Sequence, residues 1–485
     1  MNAELDRFFP GGHVPGGYVH GKTLDTTGDP IAVLDPADRG LLTEVRAATA
    51  AEVGDAVDSA GQAFRGVWRP LGEVGRGEAL HRVAAALRRD LEPLARLESV
   101  DTGKPLRQAR GDVATAARYF EFYAGAADKQ YGSVIPGEGP YWAYTLREPY
   151  GVVAHITPWN SPLSQMCRGV APSLAAGNTV VVKPSEVTPL TSLAAAALFV
   201  AAGLPPGVCN VVMGTGPQTG AALVEHPSVA HIGFTGSVAT GRRVLHAAAE
   251  RIVGVNLELG GKSPTIVLPD ADLDAAVTAG AMAVVRNAGQ SCFATTRILV
   301  HRSIARDYTE RLAVAVGGLS VGRGLADPDL GPVASEPQLR KVTAALDAAR
   351  DEGARLVVGG TAIPSLPGYF LTPAVLAGVR NDMRVAQQEI FGPVQSVIEY
   401  DTEAEAVAIA NDSPYGLAAG VFTRDLSTAH RLARLLEAGQ VQINGYPLGG
   451  VETPFGGYKQ SGLGREKGLA ALEHYSQLKT VIVRN

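Results

Sequence analysis

Three polar side chains stand at expected turns after regular elements, and together they could carry out acyl chemistry. Cys292 closes the stretch AGQSC, which precedes the strand-like run RILV. Glu258 lies between two leucines in NLELGGKSP, and Asn160 follows a strand and a proline in ITPWNSPL. A thiolate attacks carbonyl carbons, a desolvated carboxylate can act as a base near neutral pH, and a carboxamide stabilises an oxyanion. Taken singly, each also has a structural interpretation: a packed thiol, a capping carboxylate and a turn residue.

Other polar residues follow strands in a way that suits a nucleotide. In FTGSVATGR, Gly236 and Ser237 stand just before a predicted helix, whose free N–H groups could bind a phosphate. In VVVKPSE, Lys183 ends a strand and Glu186 could accept hydrogen bonds from ribose hydroxyls. GTGPQTG has the spacing GxGxxxG instead of the dinucleotide fingerprint, so we interpret it as a turn. A nucleophile, a base, an oxyanion donor and a nucleotide unit together indicate hydride transfer from a covalent intermediate.

Composition narrows the class of protein. The chain of 485 residues is longer than a single hydrophobic core usually supports, so two or more domains are expected. A net charge of −5 without a basic run argues against nucleic acid and anionic membranes as main partners. Cys167, Cys209 and Cys292 are far apart and form no CxxC or Cys/His cluster, so no metal site is predicted. No signal peptide or bilayer-spanning stretch is visible, and we expect a cytoplasmic protein with free thiols.

The elements that must position these residues alternate between strand and helix. From Gly151 onward, short β-rich runs such as GVVAHIT and TVVVK alternate with longer Ala-rich helical patterns. Continuous apolar strands in such a series predict a parallel sheet covered on both faces, with ligands at the carboxyl ends of the strands. A second α/β series runs from PTIVLPDADLDAAV to AAGVFTR. Residues 128–146 interrupt the alternation, and TVIVRN is expected to form a last strand.

Seven motifs together resemble the aldehyde dehydrogenase superfamily. They are PWNSPL, KPSE, FTGSVATG, LELGGKSP, GQSC, EIFGPV and PFGGYKQSGLGRE, in the family's order and spacing over nearly the whole chain. The resemblance implies an α/β fold with two Rossmann-like domains, a small β oligomerisation arm, and a homodimer or homotetramer. The implied parts are an NAD-binding domain (1–127 and 147–257), a catalytic domain (258–459) and the arm with the tail (128–146 and 460–485).

The same resemblance implies a role for individual residues. Cys292 corresponds to the nucleophile, Glu258 to the general base, and Asn160, with the backbone N–H of Cys292, to the oxyanion site. An aldehyde would be oxidised to the acid through a thiohemiacetal and a thioester on Cys292. Glu466, in GRE, matches a residue proposed to assist proton movement in some members. The implied cofactor is NAD, with NADP less favoured, and the residues implied to bind it are Ile156, Pro158, Trp159, Lys183, Glu186, Gly236, Ser237, Glu389 and Phe391.

The substrate side departs from the family pattern. Many relatives carry an apolar residue where Arg168 stands and a lysine where Gly169 stands, so a relay through that lysine does not carry over. Arg286 falls where relatives often place an aromatic residue along the aldehyde tunnel, to which Phe455 is also assigned. An arginine facing the tunnel unpaired would favour an aldehyde with a carboxylate or another electron-rich oxygen group. If Arg168 reaches solvent and Arg286 caps a helix end, a neutral aldehyde is expected instead.

Other activities remain open at this point. A CoA-acylating or semialdehyde-specific member is one alternative, although the water-activating Glu258 argues against CoA acylation. A nucleotide-independent thioester or ester hydrolase would use the same thiol without NAD. A silent binding protein on this fold would not need Cys292, Glu258 and Asn160 together.

Overall fold

A computed structural model describes residues 3–484, so Met1, Asn2 and Asn485, which the expected domain boundaries include, lie outside the described residues. The strands are, in chain order, β1 (Gly17–Val19), β2 (Lys22–Leu24), β3 (Pro30–Leu34), β4 (Leu41–Arg46), β5 (Val134–Ile135), β6 (Tyr141–Pro149), β7 (Val152–Ile156), β8 (Thr179–Lys183), β9 (Cys209–Val212), β10 (Val229–Thr235), β11 (Gly254–Glu258), β12 (Pro264–Val267), β13 (Arg297–His301), β14 (Arg355–Val358), β15 (Ala374–Ala377), β16 (Val394–Tyr400), β17 (Ala418–Phe422), β18 (Gln440–Ile443), β19 (Gly462–Leu463) and β20 (Ser476–Arg484).

Helices lie between most of these strands. They are α1 (Ala3–Asp6), α2 (Ala50–Ala63), α3 (Gly72–Arg89), α4 (Leu91–Thr102), α5 (Leu106–Ala124), α6 (Pro162–Ala175), α7 (Leu190–Ala201), α8 (Ala221–Glu225), α9 (Val238–Arg251), α10 (Leu273–Val285), α11 (Arg302–Gly317), α12 (Glu336–Asp351), α13 (Arg384–Gln387), α14 (Glu403–Asn411), α15 (Leu426–Leu435) and α16 (Ala470–His474). No helix among residues 3–484 has the length and apolar character that a membrane span requires.

The first sheet has the strand order β19-β11-β10-β7-β8-β9-β1-β2. Its five central strands, β11 to β9, are parallel, and β7 pairs with β8 on one side and with β10 on the other. From β7 the chain adds β8 and β9 on one side, and it then returns to add β10 and β11 on the other side of β7. This change of side creates a crevice beyond the carboxyl ends of β7 and β10. The residues of β8, TVVVK, are mostly β-branched, which suits a strand. The strand is buried along its whole length because helices cover both faces of the sheet.

The second sheet has the order β14-β15-β16-β13-β12-β17-β18 and is parallel except at β14. The chain passes from one sheet to the other between β11, which ends at Glu258, and β12, which begins at Pro264. This crossing places the end of β11 beside the second α/β unit. The α/β class expected from the alternating sequence pattern is confirmed, and it gives two separate, mainly parallel sheets.

A third, antiparallel sheet has the order β20-β6-β5 and forms a separate arm. The grouping of residues 460–485 as part of the arm with the tail stays a prediction, but the two strands in this segment differ in their pairing. β19 pairs antiparallel with β11 in the first sheet, and only β20 pairs with β6. The glycines in GGYKQSGLG explain the difference, because they let the backbone pass close to the strand end: a Cβ on Gly462 would lie 2.3 Å from the Leu257 carbonyl oxygen.

Candidate active site

Cys292 follows a tight left-handed turn between α10 and β13. Asn287, Ala288 and Gly289 have φ values of 51°, 51° and 70°. Glycine is required at the third position, because a Cβ there would lie 2.2 Å from the Gly392 carbonyl oxygen. Three consecutive left-handed residues are costly unless their surroundings fix them, so the turn must be held by contacts from outside it.

Two glutamine side chains provide such contacts. Gln108, on α5, accepts a hydrogen bond from the Asn287 backbone N–H at 2.7 Å and donates to the Val285 carbonyl at 3.2 Å. Gln290 donates to the Asn287 carbonyl at 2.9 Å and accepts from the Ala334 N–H at 2.9 Å. These bonds satisfy buried backbone groups that a strand or helix would otherwise pair.

Asn160 is connected to the same turn. Its side-chain amide nitrogen donates to the Gln290 carbonyl at 2.9 Å, which leaves its second N–H available. Its backbone carbonyl accepts from the buried ammonium of Lys104 at 3.0 Å. Lys104 also forms ion pairs with Glu98 and Asp112 and donates to Ser161 Oγ. The network ties α4 and α5 to the loop after β7, and so fixes Asn160 next to the cysteine loop.

Two cavities meet at Cys292. Both are lined by Cys292, Asn160 and Gln165. The larger, of about 550 Å³, is also lined by Arg168, Arg286, Phe293, Phe455 and Lys467. The smaller, of about 210 Å³, is also lined by Pro158, Trp159, Gly236, Ser237, Glu258, Glu389 and Phe391. A thiol in this position can meet one ligand from each side.

Glu258 ends β11 and is buried without a protein partner. Neither of its carboxylate oxygens has a hydrogen-bond partner among the described residues. Burial, together with the negative charge of Glu466, raises the pKa of Glu258 well above its usual value, and nearby Arg168 opposes the shift. A carboxylate with a raised pKa can accept a proton near neutral pH.

Arg168 lies inside the molecule, contrary to the interpretation in which it reaches solvent. It is buried, forms an ion pair with Glu466 and donates to Thr235 Oγ1 at 3.2 Å. Burial raises the pKa of the Cys292 thiol to about 12, and the positive charge of Arg168 is the largest influence that lowers it. Arg168 thus acts on the thiol while it forms an ion pair with Glu466.

Arg286 also faces the larger cavity. It belongs to the turn that follows α10, and its guanidinium lies over the Phe293 ring, 5.5 Å from the centroid. Arg286 is also the C-cap residue of α10, so it occupies the helix end while its side chain lines the cavity. Phe455 lines the same cavity and contacts the Phe293 ring edge-on at 5.9 Å.

The remaining predicted nucleotide contacts lie along the carboxyl edge of the first sheet. Lys183 ends β8 and donates to Glu186 at 2.9 Å, while Ile156 ends β7. These three do not line the smaller cavity. Ser237 caps α9 by accepting from the Thr240 N–H at 3.2 Å.

The second unit contributes two of the predicted residues. Glu389 accepts from the Gly261 N–H at 3.1 Å, and burial raises its pKa. Phe391 has a positive φ of 61° and packs edge-on against Trp159 at 5.2 Å. Both side chains thereby close the smaller cavity from the side of the second sheet.

Residues 3–484 contain no cluster of three or more His, Cys, Asp or Glu side chains placed to bind a metal ion.

A model of the aldehyde dehydrogenase family matches residues 23–481. The chain belongs to the aldehyde dehydrogenase family. It is thus an oxidoreductase that oxidises an aldehyde. A betaine aldehyde dehydrogenase of Cereibacter sphaeroides is 46% identical over 470 residues, which cover 96% of each chain.

Two solved aldehyde dehydrogenases share its fold closely. An indole-3-acetaldehyde dehydrogenase of P. syringae, in complex with NAD⁺ and IAA, is 40% identical over 99% of each chain, with a TM-score of 0.96. An NAD⁺ complex of an aldehyde dehydrogenase from Bacillus cereus is 37% identical over 100% of this chain and 99% of that one, also with a TM-score of 0.96.

Sequence reasoning missed Lys104, Gln108 and Lys467. Lys104 stands in DTGKP and Gln108 two residues after Leu106, with no motif to mark either. Lys467 directly follows Glu466 in GREKG, and a single lysine beside a motif is typical of a solvated surface. Their importance follows from which distant segments they contact, and this depends on the tertiary fold.

Replacing Arg168 in this aldehyde dehydrogenase is expected to make the thiol harder to ionise. The positive charge of Arg168 stabilises the thiolate, so Arg168→Met raises the pKa of Cys292 and moves its alkylation to higher pH. We expect the rate of iodoacetamide reaction with Cys292 at one mildly alkaline pH to fall several-fold, because a smaller fraction of the thiol is ionised. Peptide mass spectrometry measures this, because only the thiolate reacts.

The control for this prediction is Arg168→Lys, which keeps the charge and should keep the rate close to that of wild type. Thermal unfolding of each variant checks that the protein is folded. An unchanged rate in a folded Arg168→Met variant would show that Arg168 does not act on the thiol.

Proposed function

We propose that the chain oxidises its aldehyde with NAD, using Cys292 as nucleophile, Glu258 as general base and Asn160 as oxyanion donor. The observation that carries the proposal is the meeting of two cavities at Cys292 and Asn160, with the unpartnered Glu258 in the smaller one. The aldehyde would enter the larger cavity, and the nicotinamide would lie in the smaller.

The residues of the first sheet fit NAD. α9 has 14 residues, and its N-terminus faces the smaller cavity through Gly236 and Ser237, where free N–H groups suit a pyrophosphate. The Gly236 position also lacks room for a side chain, since a Cβ there would lie 2.6 Å from the Phe234 ring. Lys183 ends β8, Glu186 follows it, and both suit ribose hydroxyls, with Ile156, Pro158 and Trp159 at the neighbouring strand end. Glu389 and Phe391 would hold the nicotinamide riboside.

The protein groups then act in sequence. The Cys292 thiolate attacks the aldehyde carbon, and the free N–H of Asn160, with the backbone N–H of Cys292, stabilises the resulting oxyanion. Bound NAD supplies the acceptor for the hydride that leaves this carbon. Cys292 is left as a thioester. Glu258 takes a proton from water, the hydroxide adds to the thioester carbon, and the acid departs as the Cys292 thiolate is restored. Glu466, paired with Arg168, can receive the proton from Glu258 only by way of intervening groups.

Glu258→Gln is expected to stall the enzyme after hydride transfer. A carboxamide cannot accept the proton from water, so a rapid formation of NADH, up to about one per active site, should precede very slow turnover. Stopped-flow absorbance with an aldehyde measures both phases. Cys292→Ala is the matched control and should show neither phase while it still binds NAD within a few-fold. Loss of the rapid phase in Glu258→Gln would instead assign Glu258 to activation of the thiol.

Glu186 is expected to favour NAD over NADP. Its carboxylate would accept from the ribose 2′-hydroxyl and repel a 2′-phosphate, and Lys183 at 2.9 Å limits this to a preference. Glu186→Gln should lower the NAD-to-NADP ratio of kcat/KM by about tenfold, in the range of one hydrogen bond to a charged group. Glu310→Gln removes an equal charge from the exposed face of α11 and should leave the ratio unchanged. Equal use of both cofactors by wild type would contradict this role.

The alternative activities are disfavoured by the same geometry. A CoA-acylating enzyme must keep its thioester from water, and Glu258 beside the thiol would promote hydrolysis. A hydrolase would act without nucleotide, so NADH formation with an aldehyde separates the two. A semialdehyde specificity remains compatible with this site.

We also propose that the arm joins two or four chains. Its strands expose apolar side chains that water disfavours, among them Val134, Trp142, Leu478 and Ile482. Light scattering in solution distinguishes a dimer from a tetramer.

Free Cys167, Cys209 and Cys292 support a reducing compartment, and we propose that the enzyme is cytoplasmic.

A further inference from the structure

The larger cavity contains cations that have no ionic partner. Arg286 and Lys467 line it, and neither side chain forms an ion pair or hydrogen bond with any of residues 3–484, although each lies over a phenylalanine ring. Arg168, by contrast, is neutralised by Glu466. Burial lowers the pKa of Lys467 to about 8, so this side chain is still mostly protonated at neutral pH. The candidate for charge recognition is therefore the pair Arg286 and Lys467, and not Arg168.

The other charged residues of the cavity do not neutralise Arg286 and Lys467. The carboxylate of Asp112 forms an ion pair with Lys104, and the cation Arg118 forms one with Glu121 at 3.6 Å. Glu452 is the remaining carboxylate of the lining, and it is exposed. Among the described lining residues, two unpaired cations thus face one unpaired carboxylate.

Two of the three aromatic rings that line the cavity, those of Phe293 and Phe455, are already covered by cations of the chain, whereas Tyr119 is not. Arg286 lies over Phe293 at 5.5 Å, while Arg168 and Lys467 lie over Phe455 at 5.4 and 5.7 Å from the ring centroid. A cationic ligand gains from an aromatic face only where that face is free. An aldehyde with a trimethylammonium group would therefore meet like charge at Phe293 and Phe455.

Resting on the proposed function, we propose that the preferred substrate is an aldehyde whose far end carries a carboxylate, which Arg286 and Lys467 bind. The guanidinium offers a planar pair of donors, and the ammonium adds a compact charge. The chain thereby differs in substrate class from its betaine aldehyde dehydrogenase relatives, although it is 46% identical to them. Their substrate carries a fixed positive charge at the end that would meet this pair.

The first test compares three aldehydes of similar length: succinic semialdehyde, butanal and γ-trimethylammoniobutyraldehyde. Wild type should have the highest kcat/KM for the carboxylate and the lowest for the cation. The double variant Arg286→Gln with Lys467→Gln should lower the ratio of carboxylate to butanal by about tenfold or more, the range for charged hydrogen bonds.

Two further variants control for charge. Glu452→Gln removes the opposing carboxylate and should raise the carboxylate preference, the opposite sign to the double variant. Arg306→Gln removes a positive charge from the exposed face of α11 and should leave the ratio unchanged. A wild-type preference for butanal or for the cation, or an unchanged ratio in the folded double variant, would overturn the proposal.

The second test needs neither NAD nor turnover, so it separates this proposal from the proposed function. Cys167 and Cys209 are buried, so a small reagent should alkylate Cys292 first. The rate ratio of anionic iodoacetate to neutral iodoacetamide at Cys292 reports the potential of the cavity. We expect this ratio to fall several-fold in the double variant and to rise in Glu452→Gln. A ratio that no variant changes would exclude the cation pair, whereas absence of NADH formation with every aldehyde would refute the proposed function alone.

Discussion

Buried charge beside a thiol is the constraint on which the rest of this structure depends. Glu258, Arg168 and Glu466 are all buried around Cys292, and each would be costly there alone. Arg168 is close to two buried carboxylates but forms an ion pair with only one of them, Glu466. Glu258 therefore has no hydrogen-bond partner among the described residues. Because Glu258 is buried near the negative charge of Glu466, its pKa is raised, and this gives it the basicity that we propose for hydrolysis. The positive charge of Arg168 favours the thiolate form of Cys292.

The fold keeps these charges in place through elements that are distant in the chain. Glu258 ends a strand of the first sheet, Cys292 precedes a strand of the second, and Arg168 lies on α6 behind the crevice. β19 pairs with β11 at Glu258 itself, so the segment after it brings Glu466 to the same place. Lys104 and Gln108 then fix the two loops that carry Asn160 and Cys292. The proposed catalytic residues Asn160 and Cys292 are thus carried on loops, and Glu258 on a strand end, and a rigid scaffold holds all three.

Much of the site could be predicted because its residues follow strands whose patterns are local. β8 coincides with the predicted TVVVK, and Ser237 caps the helix that was expected to begin at Val238. Contacts across the chain could not be predicted this way. The ion pair of Arg168 with Glu466 and the pairing of β19 with β11 depend on how the two sheets and the tail assemble, and no local pattern encodes that assembly.

The central claim is that Cys292 forms the covalent intermediate where the two cavities meet. The most direct measurement is rapid acid quenching of the wild-type enzyme during turnover with NAD and an aldehyde, followed by peptide mass spectrometry. The account predicts an acyl adduct on the peptide that contains Cys292, formed only when both NAD and aldehyde are present. An adduct on Cys167 or Cys209 instead, or full turnover by an enzyme whose Cys292 has been alkylated, would contradict it.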